Sequence, residues 1–410
     1  MSFDPSILRD VVTMVLAGGR GERLYPLTRD RSKPAVPFGG TYRIIDFALS
    51  NSVNSGLRRI YVLPQYKSLS LMRHLRDGWN ILATELGEHV SALPPQLRVG
   101  SHWYRGTADA IYQNIYTLAE DRPRLVLILS GDHVYRMDYR PLIAAHLARG
   151  ADVTLAAIPV PAREAFRFGI VETASDGCVT RFREKPADLD PEGPDVVANM
   201  GIYLFNTEVL VEALSRDARL EGSRHDFGYD VLPHLVEAGR TVLAWTFRGD
   251  EPGRLPYWRD IGTLDAYYEA NMDLVSVSPE FNLYDRGWPV RSARVLAPPA
   301  KFVFAGGEDG ERIGEAHDSL VAPGAIVSGG QVERSIVGPW CRVNSWAEVR
   351  DSILMDGVVV GRHAVVRRAI VDKGVVIPAG FRLGVDPDED RRRFLVTDSG
   401  ITVVPRHEKL

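Results

Sequence analysis

The sequence predicts an α/β domain with a mostly parallel sheet, followed by a linker and a parallel β-helix. Short apolar runs alternate with helical patterns from the start of the chain to about residue 270. Prolines and glycines interrupt every regular period between residues 275 and 312. Apolar residues then recur about every six positions, which is typical of a β-helix. We therefore expect a first domain over 1–274, a linker over 275–312, and a β-helix with a C-terminal tail over 313–410.

The composition is that of an ordinary globular protein. Apolar residues make up 45% and charged residues 25% of the 410 positions, and the formal net charge is −4. This balance argues against a general nucleic-acid binder. We expect no signal peptide and no membrane span, because no basic segment leads into an apolar core and no apolar run approaches about 18 residues. Two distant cysteines, Cys178 and Cys341, indicate a reducing cytoplasm.

Five apolar runs of the first domain are predicted to be strands. Each is rich in Val, Ile and Leu without clean alternation, as expected for strands that are covered on both faces. They are VVTMVLA (11–17), RIYVLPQ (59–65), LVLILSGD (125–132), DVTLAAIPV (152–160) and NMGIYLF (199–205). Strands that alternate with helices favour a mostly parallel sheet.

Three segments repeat apolar residues at helical spacing. The helices predicted in 43–56 and 139–150 end at Gly56 and Gly150, which are good helix terminators. A further helix opens after Thr263, whose hydroxyl suits an N-cap.

The C-terminal pattern has a period of about six residues. We expect each repeated residue to point into a coil of about 18 residues, so that about four coils fit. The repeated residues are Leu320, Ile326, Val332, Val337, Val343, Val349, Val359, Val365, Val371, Ile377 and Leu383. The spacing slips twice, so ordinary hairpins with turns every six residues stay open as an alternative.

A glycine-rich loop follows the first strand. Gly18, Gly19 and Gly21 allow a backbone to approach a ligand closely, and successive free N–H groups in such a turn suit phosphate. Cationic side chains follow at Arg20, Arg23 and Lys33. The combination fits a polyphosphate. A dinucleotide fingerprint fails because Leu24 replaces its third glycine, and no Gly-Lys-Ser/Thr of a Walker A loop follows. A tight turn with solvated arginines remains the alternative.

This loop and seven later blocks resemble the sugar-1-phosphate nucleotidyltransferases, and most closely the bacterial glucose-1-phosphate adenylyltransferases. The blocks are LAGGRGERL (16–24) with KPA (33–35), FGGTYRIIDFALSNSVNSG (38–56), HWYRGTADAIYQN (102–114), SGDHVYRMDY (130–139), FREKP (182–186), NMGIYLF (199–205), HDFGYDVLP (225–233) and YWRDIGT (257–263). The resemblance covers essentially the whole chain. It implies a Rossmann-like nucleotidyltransferase domain and a left-handed parallel β-helix of hexapeptide repeats.

The implied reaction converts ATP and α-D-glucose 1-phosphate into ADP-glucose and diphosphate, for glycogen synthesis. The nucleophile is a sugar phosphate oxygen that is already ionised at pH 7, so the reaction needs alignment and cations rather than a general base. The family also implies Mg²⁺, a homotetramer, and regulation by small anionic metabolites.

The resemblance assigns roles by position. It implies Arg23, Lys33 and Asp132 as catalytic residues. The implied nucleotide-binding residues are Leu16, Ala17, Gly18, Gly19, Gly21, Gln65, Tyr104, Gly106 and Thr107, and the implied sugar-phosphate-binding residues are Gly169, Glu184, Lys185, Asn199 and Asp260. Asp132 and Asp260 would hold Mg²⁺, which prefers one or two carboxylates with substrate phosphates and water.

Residue chemistry alone leaves these roles open. Asp132 ends an apolar strand, where a carboxylate projects from the ligand edge of an α/β sheet, but such residues are also common turn or cap residues. Nothing in the sequence shows that Asp132 and Asp260 meet. Tyr104 could equally be a core aromatic. We interpret His133 and His225 as positioning or structural histidines, because the reaction needs no proton transfer.

Basic residues outside these blocks suggest a control site. We expect Arg43, Arg392 and Arg393 to form an anionic-effector site between the two domains. A solvated charge run is the alternative for the C-terminal arginines.

Three other functions compete with the main hypothesis. The first is a relative that uses UTP, dTTP or GTP, because the glycine-rich loop reads phosphates rather than the base. The second is a regulatory subunit without catalysis, against which the retained charged residues argue. The third is an acyltransferase in the β-helix, which we rank last because His363 is the only histidine within the repeats.

Overall fold

The computed structural model describes residues 4–96, 102–249, 256–305 and 312–410. The strands of the first part are β1 Val11–Ala17, β2 Pro37–Phe38, β3 Tyr42–Arg43, β4 Arg59–Pro64, β5 His89–Ala92, β6 Leu125–Ser130, β7 His133–Tyr135, β8 Val153–Val160, β9 Gly169–Thr173, β10 Val179–Glu184, β11 Val196–Asn206, β12 Val242–Thr246 and β13 Trp258–Asp260. Its helices are α1 Ile45–Asn54, α2 Leu69–Gly78, α3 Thr107–Tyr112, α4 Ile115–Asp121, α5 Arg140–Arg149, α6 Thr207–Asp217, α7 Leu232–Glu237 and α8 Leu264–Asp273.

Within the described ranges, nine strands form the main sheet. Strands β6, β1, β4 and β5 lie side by side and pair in parallel, as predicted. Strand β11 borders β6 on the other side and pairs with it antiparallel. Strands β8 and β9 also pair antiparallel with β11, while β12 pairs in parallel with β8. The apolar runs do not predict this change of direction, because a buried strand has the same composition either way.

The sheet is covered on both faces. Along β1, the buried side chains of Val11 and Val15 join one hydrophobic cluster, whereas those of Val12 and Met14 join the other. This alternation explains why the predicted strands lack polar positions. All five predicted strands and the three predicted helices are confirmed. The Thr263 hydroxyl accepts a hydrogen bond from the Ala266 amide at 3.2 Å, as predicted for an N-cap.

The segment predicted as a linker packs against the first helix. The Trp288 indole donates to Asn51 Oδ1 at 2.8 Å, and the Ser292 hydroxyl donates to Asp46 Oδ2 at 2.7 Å. Before the predicted linker ends, Lys301–Val303 already pairs in parallel with a strand of the β-helix. The sheets of the β-helix therefore begin inside the range predicted as linker.

The C-terminal part consists of short parallel strands. They are β14 Lys301–Val303, β15 Glu315–His317, β16 Leu320–Val321, β17 Ile326–Ser328, β18 Gln331–Glu333, β19 Ile336–Val337, β20 Arg342–Val343, β21 Glu348–Arg350, β22 Ile353–Leu354, β23 Val359–Val360, β24 Val365–Arg367, β25 Ala369–Val371, β26 Val376–Ile377, β27 Arg382–Leu383, β28 Leu395–Val396 and β29 Thr402–Val404, with helix α9 at Pro387–Arg391. Every third strand joins the same sheet, so the chain winds through three sheets as a β-helix.

One coil of the β-helix takes 17 residues rather than about 18. Gln331 pairs with Glu348, and Glu348 pairs with Val365. Because one of the three sides is a residue shorter, the inward register shifts relative to a strict six-residue count. In the described part of the chain two of the sheets have five strands each, so the β-helix has about five coils rather than about four.

Four predicted inward positions are wrong. Leu320 is only partly buried and packs against the hydrophobic cluster shared with the first part of the chain. At the other three positions the register is shifted, and Ile326, Val359 and Val365 are only partly buried. The residue that follows each of them, Val327, Val360 and Val366 respectively, is fully buried instead. Both members of each pair are apolar, so the sequence pattern does not say which one faces the interior.

Left-handed backbone recurs at the corners of the coils with the same period. Trp340, Gly357 and Gly374 have φ values of 59°, 71° and 69°. A second corner has the same conformation at Gly329, Trp346, His363 and Gly380, and a third at Arg334, Asp351 and Arg368. Each corner turns the chain with a positive φ, which glycine adopts without strain and other residues adopt at a cost.

The two parts share a hydrophobic contact. Phe47 and Tyr267 of the first part and Ile336 and Ile353 of the β-helix belong to one buried cluster. Among the described residues, no helix has the length and apolar character required to cross a membrane.

Candidate active site

The loops that follow three parallel strands lie at one edge of the sheet. Leu16 of β1 pairs with Leu63 of β4 and with Ser130 of β6. The carboxyl ends of these strands therefore coincide, and α/β sheets bind ligands at this edge. The glycine-rich loop, Gln65 and Asp132 follow directly and come together there.

The glycine-rich loop forms one wall of a cleft of about 500 Å³. At Gly18 a Cβ atom would lie 3.1 Å from the Gln65 side chain, so a larger residue would crowd the loop. Gly21 has a φ of 65° and accepts a hydrogen bond from Thr28 Oγ1 at 2.8 Å. Of the predicted nucleotide-binding residues, Leu16, Gly18, Gly19, Gln65, Tyr104, Gly106 and Thr107 line this cleft.

The opposite wall is held by hydrogen bonds around Tyr104. Gln65 Nε2 donates to the Tyr104 carbonyl at 3.0 Å. The Tyr104 hydroxyl accepts from Asn114 at 2.8 Å, and the residue is 7% exposed. Tyr104 is thus both a packed aromatic and a wall of the cleft, which reconciles the two interpretations of the sequence.

A charged centre lies at the floor of the cleft. Lys33 Nζ lies 2.7 Å from Asp132 Oδ2 and 3.4 Å from Asp260 Oδ1. Strands β7 and β13 bring the two carboxylates together, because Asp260 pairs with His133, the neighbour of Asp132. The structure therefore joins two aspartates that the sequence alone could not connect.

Burial and charge act against each other at this centre. Burial alone would lower the pKa of Lys33, but the charges of Asp132 and Asp260 raise it above the ordinary value. Burial would raise the pKa of Asp132, but the charges of Lys33 and His133 lower it well below the ordinary value. The Lys33 ammonium group and the Asp132 carboxylate are consequently both charged at neutral pH.

The same centre has the donor atoms of a cation site. Asp132, His133 and Asp260 each offer one ligand atom, and these atoms lie within 4.8 Å of one another. The carboxylate oxygens of Asp132 and Asp260 are the hard donors that suit Mg²⁺, whereas His133 offers a nitrogen. The imidazole Nε2 lies 3.5 Å from Asp132 Oδ1 and 3.8 Å from Asp260 Oδ1. Sequence reasoning gave His133 only a positioning or structural role, although its place beside Asp132 was the available signal.

The predicted sugar-phosphate residues lie on neighbouring strands. Gly169 of β9 faces Glu184 of β10, and a Cβ at Gly169 would lie 2.6 Å from the Glu184 carboxylate. Lys185 Nζ lies 3.2 Å from Glu184 Oε1, and Lys185 has a φ of 47°. Burial raises the pKa of Glu184, and the charge of Lys185 opposes this rise. Asn199 donates to the Tyr203 hydroxyl at 2.8 Å.

Two arginines extend the charged centre toward these strands. Arg23 is exposed, and its guanidinium lies beside Gly262, two residues after Asp260. Arg167 Nη2 lies 3.9 Å from Asp260 Oδ2. Sequence reasoning did not select Arg167, nor the cleft residues Tyr66, Arg105 and Asp226. Arg105 and Asp226 stand inside quoted blocks, which was the signal available for them.

Among the residues that the structure describes, the three predicted effector residues share no contact partner. The Arg43 guanidinium donates to the Ser70 carbonyl and hydroxyl at 2.9 and 2.8 Å. Arg393 instead lies over the rings of Phe381 and Phe394, and Arg392 is exposed. The charges that influence the pKa of Arg43 are those of Asp46, Asp356, Arg31 and Asp77.

Arg43 belongs to a charged cluster between the two parts of the chain. Burial lowers the pKa of Arg43, and the charge of Arg31 lowers it further. Burial likewise lowers the pKa of Lys373, and Arg43 and Arg31 contribute to that shift. Lys373 Nζ lies 2.7 Å from Asp356 Oδ2, and Arg31 makes two hydrogen bonds to Asp372 at 2.8 and 2.9 Å.

Family comparison agrees with this architecture. Residues 12–277 match the model of the nucleotidyl transferase family. Residues 298–404 match that of the GlmU-like C-terminal hexapeptide. The first match contains the glycine-rich loop, the charged centre and the sugar-phosphate strands, and the second contains nearly all of the β-helix.

Similar proteins extend over nearly the full chain. A protein from Koribacter versatilis that is named glucose-1-phosphate adenylyltransferase is 53% identical, over 98% of this chain and 96% of its own length. One of the same name from Rhodopirellula baltica is 52% identical, over 100% and 92%. Glucose-1-phosphate adenylyltransferase 2 of Vibrio cholerae is 48% identical, over 97% and 98%. The chain therefore belongs to the glucose-1-phosphate adenylyltransferases of the nucleotidyl transferase family.

Proposed function

We propose that this chain transfers the adenylyl group of ATP to α-D-glucose 1-phosphate and releases ADP-glucose and diphosphate. The observation that carries the proposal is the Lys33 ammonium group between Asp132 and Asp260, at the floor of the cleft beside the glycine-rich loop. The names of the similar proteins support the same reaction.

The chemistry needs no general base. An ionised oxygen of the sugar phosphate attacks the α-phosphorus of ATP, the new P–O bond forms, and the bond to the bridging oxygen breaks. The electron pair of that bond leaves with diphosphate. The residues must align the two phosphates and neutralise developing charge. Lys33 and Arg23 supply cations, while the amides of Gly18–Gly21 face the polyphosphate.

Asp132 and Asp260 would hold the Mg²⁺ that this family implies. When bound, the cation supplies charge neutralisation on the phosphates. Side chains of the protein position these two carboxylates. Lys33 orients the carboxylates, and Ser130 holds Asp132 by a hydrogen bond to Oδ1.

Diphosphate release with four nucleotides tests the reaction. Each of ATP, UTP, dTTP and GTP is incubated with glucose 1-phosphate and Mg²⁺, and we expect turnover to be fastest with ATP. Preference for another nucleotide would support the related nucleotidyltransferase instead. No turnover with any of the four would contradict catalysis and favour a regulatory subunit. Asp132→Asn is the matched negative control, because it keeps the shape and removes the charge.

We also propose that small anionic metabolites regulate the enzyme at the cluster around Arg43. Arg31, Arg43 and Lys373 place three cations between the two parts of the chain, and this arrangement replaces the site expected at Arg392 and Arg393. Arg31 pairs with Asp372 at 2.8 Å, and Lys373 pairs with Asp356 at 2.7 Å.

The effector proposal is tested with fructose 6-phosphate and pyruvate. We expect Lys373→Ala and Arg43→Ala to abolish or weaken activation, and Arg393→Ala to leave it unchanged. Loss of activation in both Arg43→Ala and Arg393→Ala would favour the site expected from the sequence instead, and activation that survives in Arg43→Ala would contradict both sites.

We further propose, on the basis of its family, that the enzyme acts in glycogen synthesis as a cytoplasmic homotetramer.

A further inference from the structure

A short segment joins the nucleotide cleft to the sugar-phosphate strands. Residues 223–229, here called the strap, follow helix α6 and lead into helix α7. The strap contains His225, to which the sequence alone gave only a positioning or structural role. Its contacts reach both sides of the active site.

A buried hydrogen-bonded pair fixes the strap to the end of α6. His225 Nδ1 lies 2.8 Å from Asp217 Oδ2, and the two side chains are 5% and 8% exposed. The other oxygen of Asp217 accepts from the Ser223 hydroxyl at 2.7 Å. An ionised carboxylate only accepts hydrogen bonds, so Nδ1 carries the proton. His225 also has a φ of 54°, a conformation that most side chains resist.

The backbone of His225 in turn holds the nucleotide loop. Its carbonyl accepts from the Ala108 amide at 2.8 Å and from the Asp109 amide at 3.3 Å. Both amides belong to the first turn of α3, so the carbonyl serves as a cap from outside that helix. Gly106 lies so close that a Cβ there would be 2.2 Å from the same carbonyl oxygen. The backbone position of His225 therefore determines the positions of Gly106 and Thr107.

The residue after His225 adds a second link. The Thr107 hydroxyl donates to Asp226 Oδ2 at 2.9 Å and accepts from the Phe227 amide at 3.1 Å. Gly106, Thr107 and Asp226 all line the cleft. Farther along the strap, a Cβ at Gly228 would lie 2.4 Å from the Glu184 carboxylate. Asp226 Oδ1 holds the Gly228 amide at 2.8 Å independently of His225.

We propose that Asp217 and His225 are positioning residues for nucleotide binding. Their buried pair sets the strap so that the His225 carbonyl and Asp226 hold Gly106 and Thr107 at the wall of the cleft. The inference rests on the proposed function, because it takes the cleft to be the ATP site. Loss of the pair affects the nucleotide more than the sugar phosphate, because the link from Asp226 to Gly228 stays intact.

Two variants of His225 separate the effect of its hydrogen bond to Asp217 from the effect of its backbone conformation. His225→Gly keeps the positive φ but removes the ring, and we expect it to weaken ATP binding about tenfold. Asparagine tolerates the same φ. In His225→Asn the side-chain amide nitrogen is bonded to Cγ, as Nδ1 is in histidine, so it takes the place of the donor to Asp217. We expect it to restore the affinity for ATP to within about twofold of the unaltered chain. Affinity is measured by calorimetry on the full chain with ATP and Mg²⁺.

Kinetics give the second readout. We expect His225→Gly to raise KM for ATP about tenfold while KM for glucose 1-phosphate and kcat change less than about threefold. His146→Ala is the control, because that buried histidine hydrogen-bonds with Thr154 and Asn206, and neither of these residues lines the cleft. Asp217→Ala, which removes both acceptor oxygens, gives the same prediction if His225→Gly does not fold.

Four outcomes overturn the inference. Unchanged ATP affinity in both His225→Gly and Asp217→Ala would remove it. Equal weakening in His146→Ala would assign the effect to general destabilisation, as would failure of His225→Asn to restore binding. If the unaltered chain bound no ATP, the proposed function would fail and this inference with it, a result distinct from the first three.

Discussion

Lys33 is the residue on which the charged centre depends. Its ammonium group is shared by two carboxylates that would otherwise repel each other at a largely buried site. In the proposed reaction the same group lies beside the phosphates of ATP and contributes a cation to them. The raised pKa keeps the ammonium group charged at neutral pH.

Replacing Lys33 tests this double role. We expect Lys33→Met to lower kcat by about 100-fold or more, because a fixed cation facing the transition state is lost. Steady-state diphosphate release measures the effect. Lys301→Met, a change of the same kind on the exposed first strand of the β-helix, should retain full activity. Retention of more than half of kcat in Lys33→Met would contradict the assignment.

Glu184 gives a prediction about pH. Burial raises its pKa above the ordinary value of 4.5, so the carboxylate takes up a proton earlier as the pH falls. We expect KM for glucose 1-phosphate to rise as the pH is lowered through this raised pKa, since a protonated Glu184 no longer pairs with Lys185. Glu184→Gln should show a higher KM that no longer depends on pH in this range. An equally steep profile in that variant would assign the titration to another group.

Only some of these residue roles could be predicted from sequence. Asp132 can be identified from the sequence because it follows an apolar strand, and the glycine-rich loop can be identified from its composition. The proximity of Asp260 to Asp132 depends on the pairing of β7 with β13, which local pattern does not encode. The partners of Arg43 are likewise set by the packing of the two parts of the chain.

At the scale of elements, the sequence predicted the buried strands well and their directions less well. Apolar runs identify β1, β4, β6, β8 and β11 because both faces of the sheet are covered. The direction of β11 depends on the route of the chain between strands. In the β-helix, the sequence shows the period of about six residues. The inward positions are nevertheless shifted, because one side of each 17-residue coil is a residue shorter than the others.

The corners of the β-helix make a prediction about stability. Gly374 has a φ of 69° and open space around its Cα, so only backbone strain opposes a side chain there. We expect Gly374→Ala to lower the free energy of unfolding by about 1 kcal/mol and Gly374→Asn to lower it clearly less, because Asn tolerates left-handed backbone. Chemical denaturation measures both. Equal losses in the two variants would show that φ is not the cause.

For the whole molecule, the contact between the two parts is both apolar and ionic. The hydrophobic cluster that contains Tyr267 and Ile353 forms the apolar part of this contact. Arg31 and Asp372 add a buried ion pair, with side chains 4% and 2% exposed. Arg31 lies two residues before Lys33, so the β-helix directly contacts the segment that carries Lys33.

Removal of one partner of this pair should be costly. We expect Asp372→Ala to lower the free energy of unfolding by about 3–5 kcal/mol, because it leaves the Arg31 charge buried without its partner. The double variant Arg31→Met with Asp372→Leu should recover much of that loss, since two apolar groups then meet. A single variant as stable as the unaltered chain would show that the pair does not join the two parts.

The central claim is that the phosphates of ATP bind between the glycine-rich loop and the charged centre. A crystal structure of the full chain with a non-hydrolysable ATP analogue and Mg²⁺ tests it most directly. We predict phosphate oxygens within hydrogen-bond distance of the amides of Gly18–Gly21, with Lys33 beside them and the cation on Asp132 and Asp260. Phosphates bound away from residues 18–33 would contradict the account.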